Sequence, residues 1–377
     1  MPSKSGVYLG LMSGTSIDSI AASLVRFERG CQPEILHFVD MEWPKLLQQQ
    51  VRDAQTSWRT YSMVNFVRLE QQITMAFVQA CKLLPLSDYD VEAIGFHGQT
   101  LAHGADEDPA WTIQAGNPAL LAAETNLPVV AHFRQSDLAA KGQGAPLAPA
   151  FHIEIFGSEI SQAIVNLGGI ANVTFIVAGE VVSVSGFDTG PANCLMDAWI
   201  RQHKGLEYDE SGQWSLTGQC HQQLLNTLLG DPYFKQVSPK STGTEYFNLH
   251  WLQSYLDQFQ GGDLIEPEDI MATLRELTAV SIASSLKLGK NTKRIILCGG
   301  GSYNQALVQS VQNKCEQECI SSRAVGYPPE QIEAALMAWM AMKRDDKQPI
   351  DLQQITGSIH PVVCGGIYLP GSHMANS

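Results

Sequence analysis

Two stretches of this 377-residue chain are built to one plan, and that repetition restricts the fold more than any other feature of the sequence. The first, VYLGLMSGTSIDSIAASLVRF, sets apolar strand-like runs on either side of a Ser/Gly/Thr/Asp turn. The second, QAIVNLGGIANVTFIVAGEVVSVSGFDTG, runs from an apolar strand through a small-residue turn at Leu167 to Asn172 into a β-branched strand. Each reads as a hairpin. Two halves that both open on a glycine-turn hairpin predict an ancient duplication, and the length agrees, because one hydrophobic core rarely serves so long a chain. A cleft between two such lobes is the expected place for a ligand.

The segments between the hairpins alternate in type. VRLEQQITMAFVQACKLL carries Leu69, Ile73, Ala76 and Ala80 at helical spacing. VEAIGFHGQT reads as a short strand running into a loop, LPVVAHF as a further strand, and the Gly/Pro-rich QSDLAAKGQGAPLAPAFH as a hinge or site loop. GPANCLMDAWIRQH reads as a helix with Pro191 at its first position and Leu195, Trp199 and Ile200 on its apolar face. EDIMATLRELTAVSIASSLKL is another helix, aligning Ile270, Leu274 and Leu277. RIILCGGGSYNQALVQSVQ is a buried strand, a triple-glycine turn and a helix. QIEAALMAWMAMK closes the series, with Ile332, Leu336 and Trp339 on one side. Alternating strands and helices define the α/β class. The domain change is placed near Ala131, giving one lobe of residues 1–131 plus 350–370, a second of 132–349, and a polar, unstructured tail at 371–377.

Composition excludes several function classes. A net charge of −14, from 38 acidic and 24 basic residues with no basic run, opposes binding to nucleic acid. No signal-peptide pattern and no apolar run of membrane-spanning length are present, so a soluble, cytoplasmic protein away from the membrane is expected. Eight scattered cysteines without a CxxC framework read as reduced thiols. Cys315 and Cys319 share a possible helix face, but no matching His or Cys pair stands nearby to complete a metal site.

Three small-residue turns each follow a strand, at Ser13 to Asp18, Gly168 to Asn172 and Gly299 to Ser302. Glycine lets backbone N–H groups approach phosphate oxygens, and Ser or Thr hydroxyls add donors. None is a Walker loop, since GK[ST] is absent, and none is a Rossmann GxGxxG. Singly, each turn is as readily plain hairpin geometry. Three on two similar halves follow the plan of actin-like and hexokinase-like ATPases, in which two hairpins grip phosphates from opposite domains and a later glycine turn lies against the nucleoside.

MSGTSID, FHGQT, GQGAP, NLGGIANVT, FDTGPANCLMDAW, PKSTGTEYFN, CGGGSYN and PPEQIEAALMAW follow one another along the chain. In this order they resemble the anhydro-N-acetylmuramic acid kinase family, from about Gly10 to Gly365. The resemblance implies a two-lobed, actin/hexokinase-like (ribonuclease H-like) α/β fold with an interdomain cleft, in a cytoplasmic, homodimeric enzyme of peptidoglycan recycling. It implies ATP as co-substrate, with Mg²⁺, and 1,6-anhydro-N-acetylmuramic acid as the amino sugar. The 1,6-anhydro bond is hydrolysed and O6 phosphorylated, giving N-acetylmuramic acid 6-phosphate and ADP. By resemblance Ser13, Gly14, Thr15, Ser16 and Asp18 form the first phosphate loop, with Asp18 a partner of hydrated Mg²⁺. Gly168, Gly169 and Asn172 form the second, and Gly299, Gly300 and Gly301 the nucleoside-side turn. Glu333 matches an acidic position of the active site.

Several of these residues can be read from their chemistry as well. Opening an anhydro bridge needs a carboxylate base to activate water at C1, while the released O6 attacks the γ-phosphorus. Asp188 ends a predicted strand before Thr189-Gly190-Pro191, beside a helix N-terminus that favours its ionised form. The plainer role for it is capping that helix. Asp18 suits an Asx-turn equally well, and Glu333 a solvated helix face. His97 and Gln99 sit where a strand is expected to end, a usual place for ligand contacts, although a lone His is often structural. Arg134 could meet the lactyl carboxylate of the sugar in a bidentate pair, or simply pair with Asp137.

Five positions depart from the family's usual pattern. Ser19 and Lys141 stand where glycine is usual, while Ala21, Asn117 and His132 stand where aspartate is usual. Loss of three carboxylates near a Mg·ATP site predicts altered metal coordination or loop positioning. Two other functions therefore stay open: a kinase of the same fold acting on an ordinary hexose, and a non-catalytic sensor of nucleotide or sugar.

Overall fold

The computed structural model describes residues 5–371, apart from 106, 158, 180–182, 239, 260–264 and 290. The chain divides into two compact units, Met1–Ile155 with Gln331–Ser377, and Phe156–Glu330. The tail expected from 371 lies, beyond that residue, outside the described residues.

The first unit opens with the meander β1 (Gly6–Ser13), β2 (Ser19–Phe27) and β3 (Glu34–Glu42), followed by helices α1 (Lys45–Ser57) and α2 (Met63–Lys82). Next come β4 (Val91–Gly104), β5 (Trp111–Ala115), α3 (Pro118–Thr125), β6 (Val129–Ala131), α4 (Phe133–Ala139) and α5 (Ala148–Phe156). β1, β2 and β3 pair antiparallel, while β4 joins β1 and β6 joins β4 in parallel. Parallel neighbours need crossovers, and α1–α2 and α3 supply them.

The second unit repeats the plan. β7 (Gln162–Leu167), β8 (Ile170–Val177) and β9 (Ser183–Pro191) form an antiparallel meander. Helices α6 (Asn193–Lys204), α7 (Gln222–Leu229), α8 (Leu249–Gln258) and α9 (Pro267–Leu286) lead to β10 (Arg294–Cys298), parallel to β7. A 3₁₀ turn at Gly300–Tyr303 and α10 (Gln305–Gln312) lead to β11 (Cys319–Ser321), parallel to β10. Orders β3-β2-β1-β4-β6 and β9-β8-β7-β10-β11 are the same five-strand arrangement, the ribonuclease H-like order, met twice. The repetition seen in the two hairpins extends to the strand order of whole sheets.

The chain then returns to the first unit through α11 (Ile332–Asp345) and β12 (Gly366–Tyr368), which pairs with β6. α11 is packed on the first sheet at two glycines. A Cβ at Gly10 in β1 would fall 1.8 Å from the Ala334 carbonyl oxygen, and one at Gly95 in β4 would fall 1.9 Å from that of Met337. Alternation then assigns the faces: Leu9 and Leu11 point into a core with Ile73 and Phe77 of α2, while Gly10 meets α11. Because α11 belongs to the first sheet, the units part at Ile155/Phe156 and Glu330/Gln331. The sequence had suggested a change near Ala131 and a return at 350.

Four local expectations are revised. The segment FHGQT is no loop: β4 continues to Gly104, so His97 and Gln99 lie mid-strand. The Gly/Pro-rich stretch after Phe133 is largely helical, forming α4 and the start of α5. Pro191 closes β9 instead of opening α6, which begins at Asn193. Cys315 and Cys319 share no helix, since α10 ends at Gln312 and Cys319 opens β11.

Candidate active site

In open α/β sheets, ligand sites form beyond the carboxyl ends of the parallel strands. In the first unit β1 ends at Ser13, which pairs with Gln99 of β4. Ser13 is buried, and its Oγ accepts the Trp43 indole N–H at 3.1 Å. The turn that follows is tied down from outside the hairpin. Gln99 Nε2 donates to the Gly14 carbonyl at 3.1 Å, and Gln55 Nε2 donates to the Thr15 and Thr100 carbonyls at 3.1 and 2.9 Å. Ile17 takes a left-handed conformation, φ 59°. Ser16 and Asp18 are exposed and hydrogen-bonded to each other. The Gln99 side-chain oxygen is buried with no hydrogen-bond partner, the state of an acceptor that a bound donor would satisfy.

His97 and Arg134 come together. The His97 ring donates from Nδ1 to the Gly98 carbonyl at 2.8 Å and accepts Arg134 Nε–H on Nε2 at 2.9 Å. Both bonds need the neutral ring, and burial, reinforced by the Arg134 charge, pushes the His97 pKa down to about 3. Arg134 also donates to the Gly144 carbonyl at 2.8 Å. The Asp137 carboxylate is occupied by Gly144 N–H at 2.6 Å and Thr356 Oγ–H at 2.7 Å. Arg134 is thus held by His97 and the GQGAP backbone, which aims a fixed guanidinium. Glu333 lies half-buried in the first turn of α11.

In the second unit, both remaining glycine turns and Asp188 meet at one sheet end. The carbonyls of Gly168 and Gly169 accept the first N–H groups of α6: Asn193 N to Gly168 at 3.0 Å, and Ala192 N and Cys194 N to Gly169 at 2.9 and 3.1 Å. Asn193 Nδ2 reaches back to Leu167 and Gly168. Gly299, at φ 78°, follows β10 so closely that a Cβ there would lie 2.2 Å from Asn166 Oδ1; one at Gly301 would lie 2.8 Å from Leu167 Cβ. Around Gly300 a Cβ would meet nothing within 4 Å, so the middle of that turn faces open space. On the hairpin itself Asn172 pairs across from Asp188, and Asn172 Oδ1 is buried without a hydrogen-bond partner.

Asp188 lies within β9 and does not cap α6, whose N-cap is Ala192. In place of the expected cap, the carboxylate has one backbone donor and its own backbone is tied at both polar groups. Asp188 Oδ2 accepts Thr242 N–H at 3.0 Å, Asp188 N donates to the Lys240 carbonyl at 3.1 Å, and the Asp188 carbonyl accepts Tyr233 O–H at 2.7 Å. Tyr233, Lys240 and Thr242 are what the sequence reading missed. Lys240 and Thr242 lie in the quoted PKSTGTEYFN without a role attached, and Tyr233 carries no sequence signal.

Of the five departures, Asn117 has a structural role in view. Asn117 caps α3, its Oδ1 accepting Leu120 N–H at 3.0 Å, a task aspartate also performs. His132 and Lys141 sit at φ 65° and 67°, and glycine is the usual residue in that region. Ser19 and Ala21 pair with Glu42 and Asp40 of β3. Among the described residues no group of three or more His, Cys, Asp or Glu is gathered to hold a metal.

The doubled sheet order with glycine turns at its strand ends defines an α/β chain of the actin and hexokinase type. The family model described as anhydro-N-acetylmuramic acid kinase matches residues 6–370, and this chain belongs to that family. Proteins of that name from Saccharophagus degradans and Chromohalobacter salexigens are 38% and 41% identical to it. The first match covers 97% of this chain and 100% of that protein, the second 96% and 99%. Among solved structures, a ROK family glucokinase from Streptomyces griseus in complex with glucose and AMPPNP aligns at 14% identity and a TM-score of 0.40, over 89% of this chain and 99% of that one.

Proposed function

We propose that this protein is an ATP-dependent kinase that opens the 1,6-anhydro bridge of 1,6-anhydro-N-acetylmuramic acid and phosphorylates O6, yielding N-acetylmuramic acid 6-phosphate and ADP in peptidoglycan recycling. Family membership supports the activity. The observation that carries the mechanism is Asp188, oriented by Thr242 N–H beside Asn172 and the two glycine turns instead of spent on a helix cap. Asp188 takes a proton from water, the oxygen bonds to C1, and the C1–O6 bond breaks. O6 then attacks the γ-phosphorus, and ADP leaves with the bridging electron pair.

In this reading Ser13, Gly14, Thr15 and Ser16 with Gly168, Gly169 and Asn172 hold the phosphates, and Gly299, Gly300 and Gly301 lie along the nucleoside. Arg134, oriented by His97, meets the sugar carboxylate; Gln99 and Glu333 complete the sugar side. Mg²⁺ arrives with ATP and supplies charge neutralisation. Such an ion takes most of its ligands from phosphate and water, and the exposed Asp18 carboxylate, held by Ser16, suits a contact through water. The same reading makes the enzyme a cytoplasmic homodimer. The charge of −14 speaks against nucleic acid as a partner, and no described helix is long and apolar enough to cross a membrane.

With ATP, Mg²⁺ and the anhydro-sugar, the purified protein should release ADP in step with sugar phosphate and place ¹⁸O from labelled water at C1. Asp188→Asn should lower turnover by at least about 10²-fold, within the usual range for loss of a general base, with ATP affinity kept. Full activity in that variant overturns the mechanism. Phosphorylation of a free hexose without ¹⁸O at C1, with none of the anhydro-sugar, points to an ordinary hexose as the substrate, and tight binding with no turnover points to a sensor.

A further inference from the structure

The strap that crosses the outer edge of β9 holds Asp188 by three hydrogen bonds, from Tyr233, to Lys240 and from Thr242. Its foundation is Asp231, a buried carboxylate that accepts Tyr233 N–H at 2.8 Å, Trp251 Nε1–H at 2.9 Å and the hydroxyls of Tyr246 and Tyr255 at 3.0 and 2.9 Å. These bonds fix Tyr233, whose hydroxyl reaches the Asp188 carbonyl. Lys240 then lies over the Tyr233 ring, its Nζ 4.4 Å from the ring centre and 3.2 Å from the Tyr233 carbonyl oxygen. Only 8% of Lys240 is exposed, and an ammonium so placed is costly unless an opposite charge compensates it.

We infer that Lys240 is a positioning residue for Asp188: its carbonyl fixes the backbone of the aspartate, and its buried ammonium keeps the neighbouring carboxylate in the charged form a base requires. The inference rests on the reading of Asp188 as that base. Burial pulls the Lys240 pKa down while the Asp188 charge pulls it back up, and burial with the same charge raises that of Tyr233. Both side chains therefore feel the carboxylate's field. β8 offers Asn172, and α9 offers Thr278, bonded to the Pro191 and Ala192 carbonyls, and Ser281 near Gly190. Further along the strap, Glu245 folds its carboxyl over Gly243.

The sign follows directly. A nearby cation favours the ionised carboxylate, so removing it raises the carboxyl pKa, typically by one unit or more. In Lys240→Met the acid limb of the kcat profile should move up by about one pH unit, while Lys240→Arg should leave it near the parent position. KM for ATP should stay within about twofold in both, since uniform binding is untouched. If Lys240→Met does not fold, Lys240→Gln makes the same comparison, removing the charge while keeping a donor for Tyr233. An unmoved acid limb in the uncharged variant, with Asp188→Asn inactive, overturns the role of Lys240 alone. An active Asp188→Asn overturns the base reading and this inference with it.

Discussion

Lys141 shows how a single residue can be read against its backbone. It is exposed and left-handed at φ 67°, with its N–H bound to the Leu138 carbonyl at 2.9 Å. An L-residue with a Cβ costs about 1 kcal/mol or more in that region, and glycine does not. Nothing in the structure attaches the Lys141 side chain to the site, so its departure from the family's glycine reads as a small loss of stability without a change in chemistry. Lys141→Gly should therefore stabilise the protein by roughly 1 kcal/mol, visible as a rise of a few degrees in Tm, with kcat and KM unchanged. A lower Tm would mean that the lysine side chain stabilises the turn. Asn117 makes the complementary case: as a cap it does what aspartate would do, so losing that carboxylate leaves α3 intact.

At the scale of elements, α11 decides where the units divide and where Glu333 sits. Its seat is cut by Gly10 and Gly95, each with a helix carbonyl in the place of a side chain. Gly95→Ala would drive a methyl into the Met337 carbonyl, a backbone contact that no rotamer relieves. A cost of about 3 kcal/mol, the upper end for overpacking, is expected, seen as a lowered urea midpoint. kcat should fall as well, because the displaced helix carries Glu333; unchanged stability would show that α11 can slide. The same packing explains what the sequence did and did not disclose. Hairpins and helices were legible because turn residues and apolar spacing are local, and Leu69, Ile73, Ile270 and Leu274 are buried where their periodicity placed them. The return of α11 to the first sheet was not, because it depends on two glycines in strands far upstream. Asp188 was singled out by the family resemblance together with its place before Thr189-Gly190-Pro191, whereas the contacts that hold it were not legible. Tyr233 is 45 residues away, and only tertiary folding brings its hydroxyl to the Asp188 carbonyl.

For the molecule as a whole, acid should act unevenly on the two units. His97 in β4 and His152 in α5 both belong to the first unit, and burial holds the pKa of each down near 3. An unfolded histidine takes up its proton near pH 6.5. Between those limits the unfolded chain binds protons that the folded unit refuses, so folding stability rises with pH and falls as pH drops. The contribution is complete above about pH 6.5 and drains at up to about 1.4 kcal/mol per pH unit for each histidine. Urea midpoints taken from pH 7.5 down to 4.5 should thus decline first in the transition that exposes β4 and α5, followed by hydrogen exchange of their peptides. His152→Phe, which keeps an aromatic ring in the core and removes the titration, should flatten that decline by about half. His97 cannot be replaced so simply, because its neutral ring holds Arg134. The folded ring stays neutral down to about pH 3, so the Arg134 contact and KM for the sugar should hold in the molecules still folded while the first unit loses stability below about pH 6.5. Equal acid sensitivity in β7–β10 of the second unit would show that carboxylates shared by the whole chain, and not these two buried rings, govern the response.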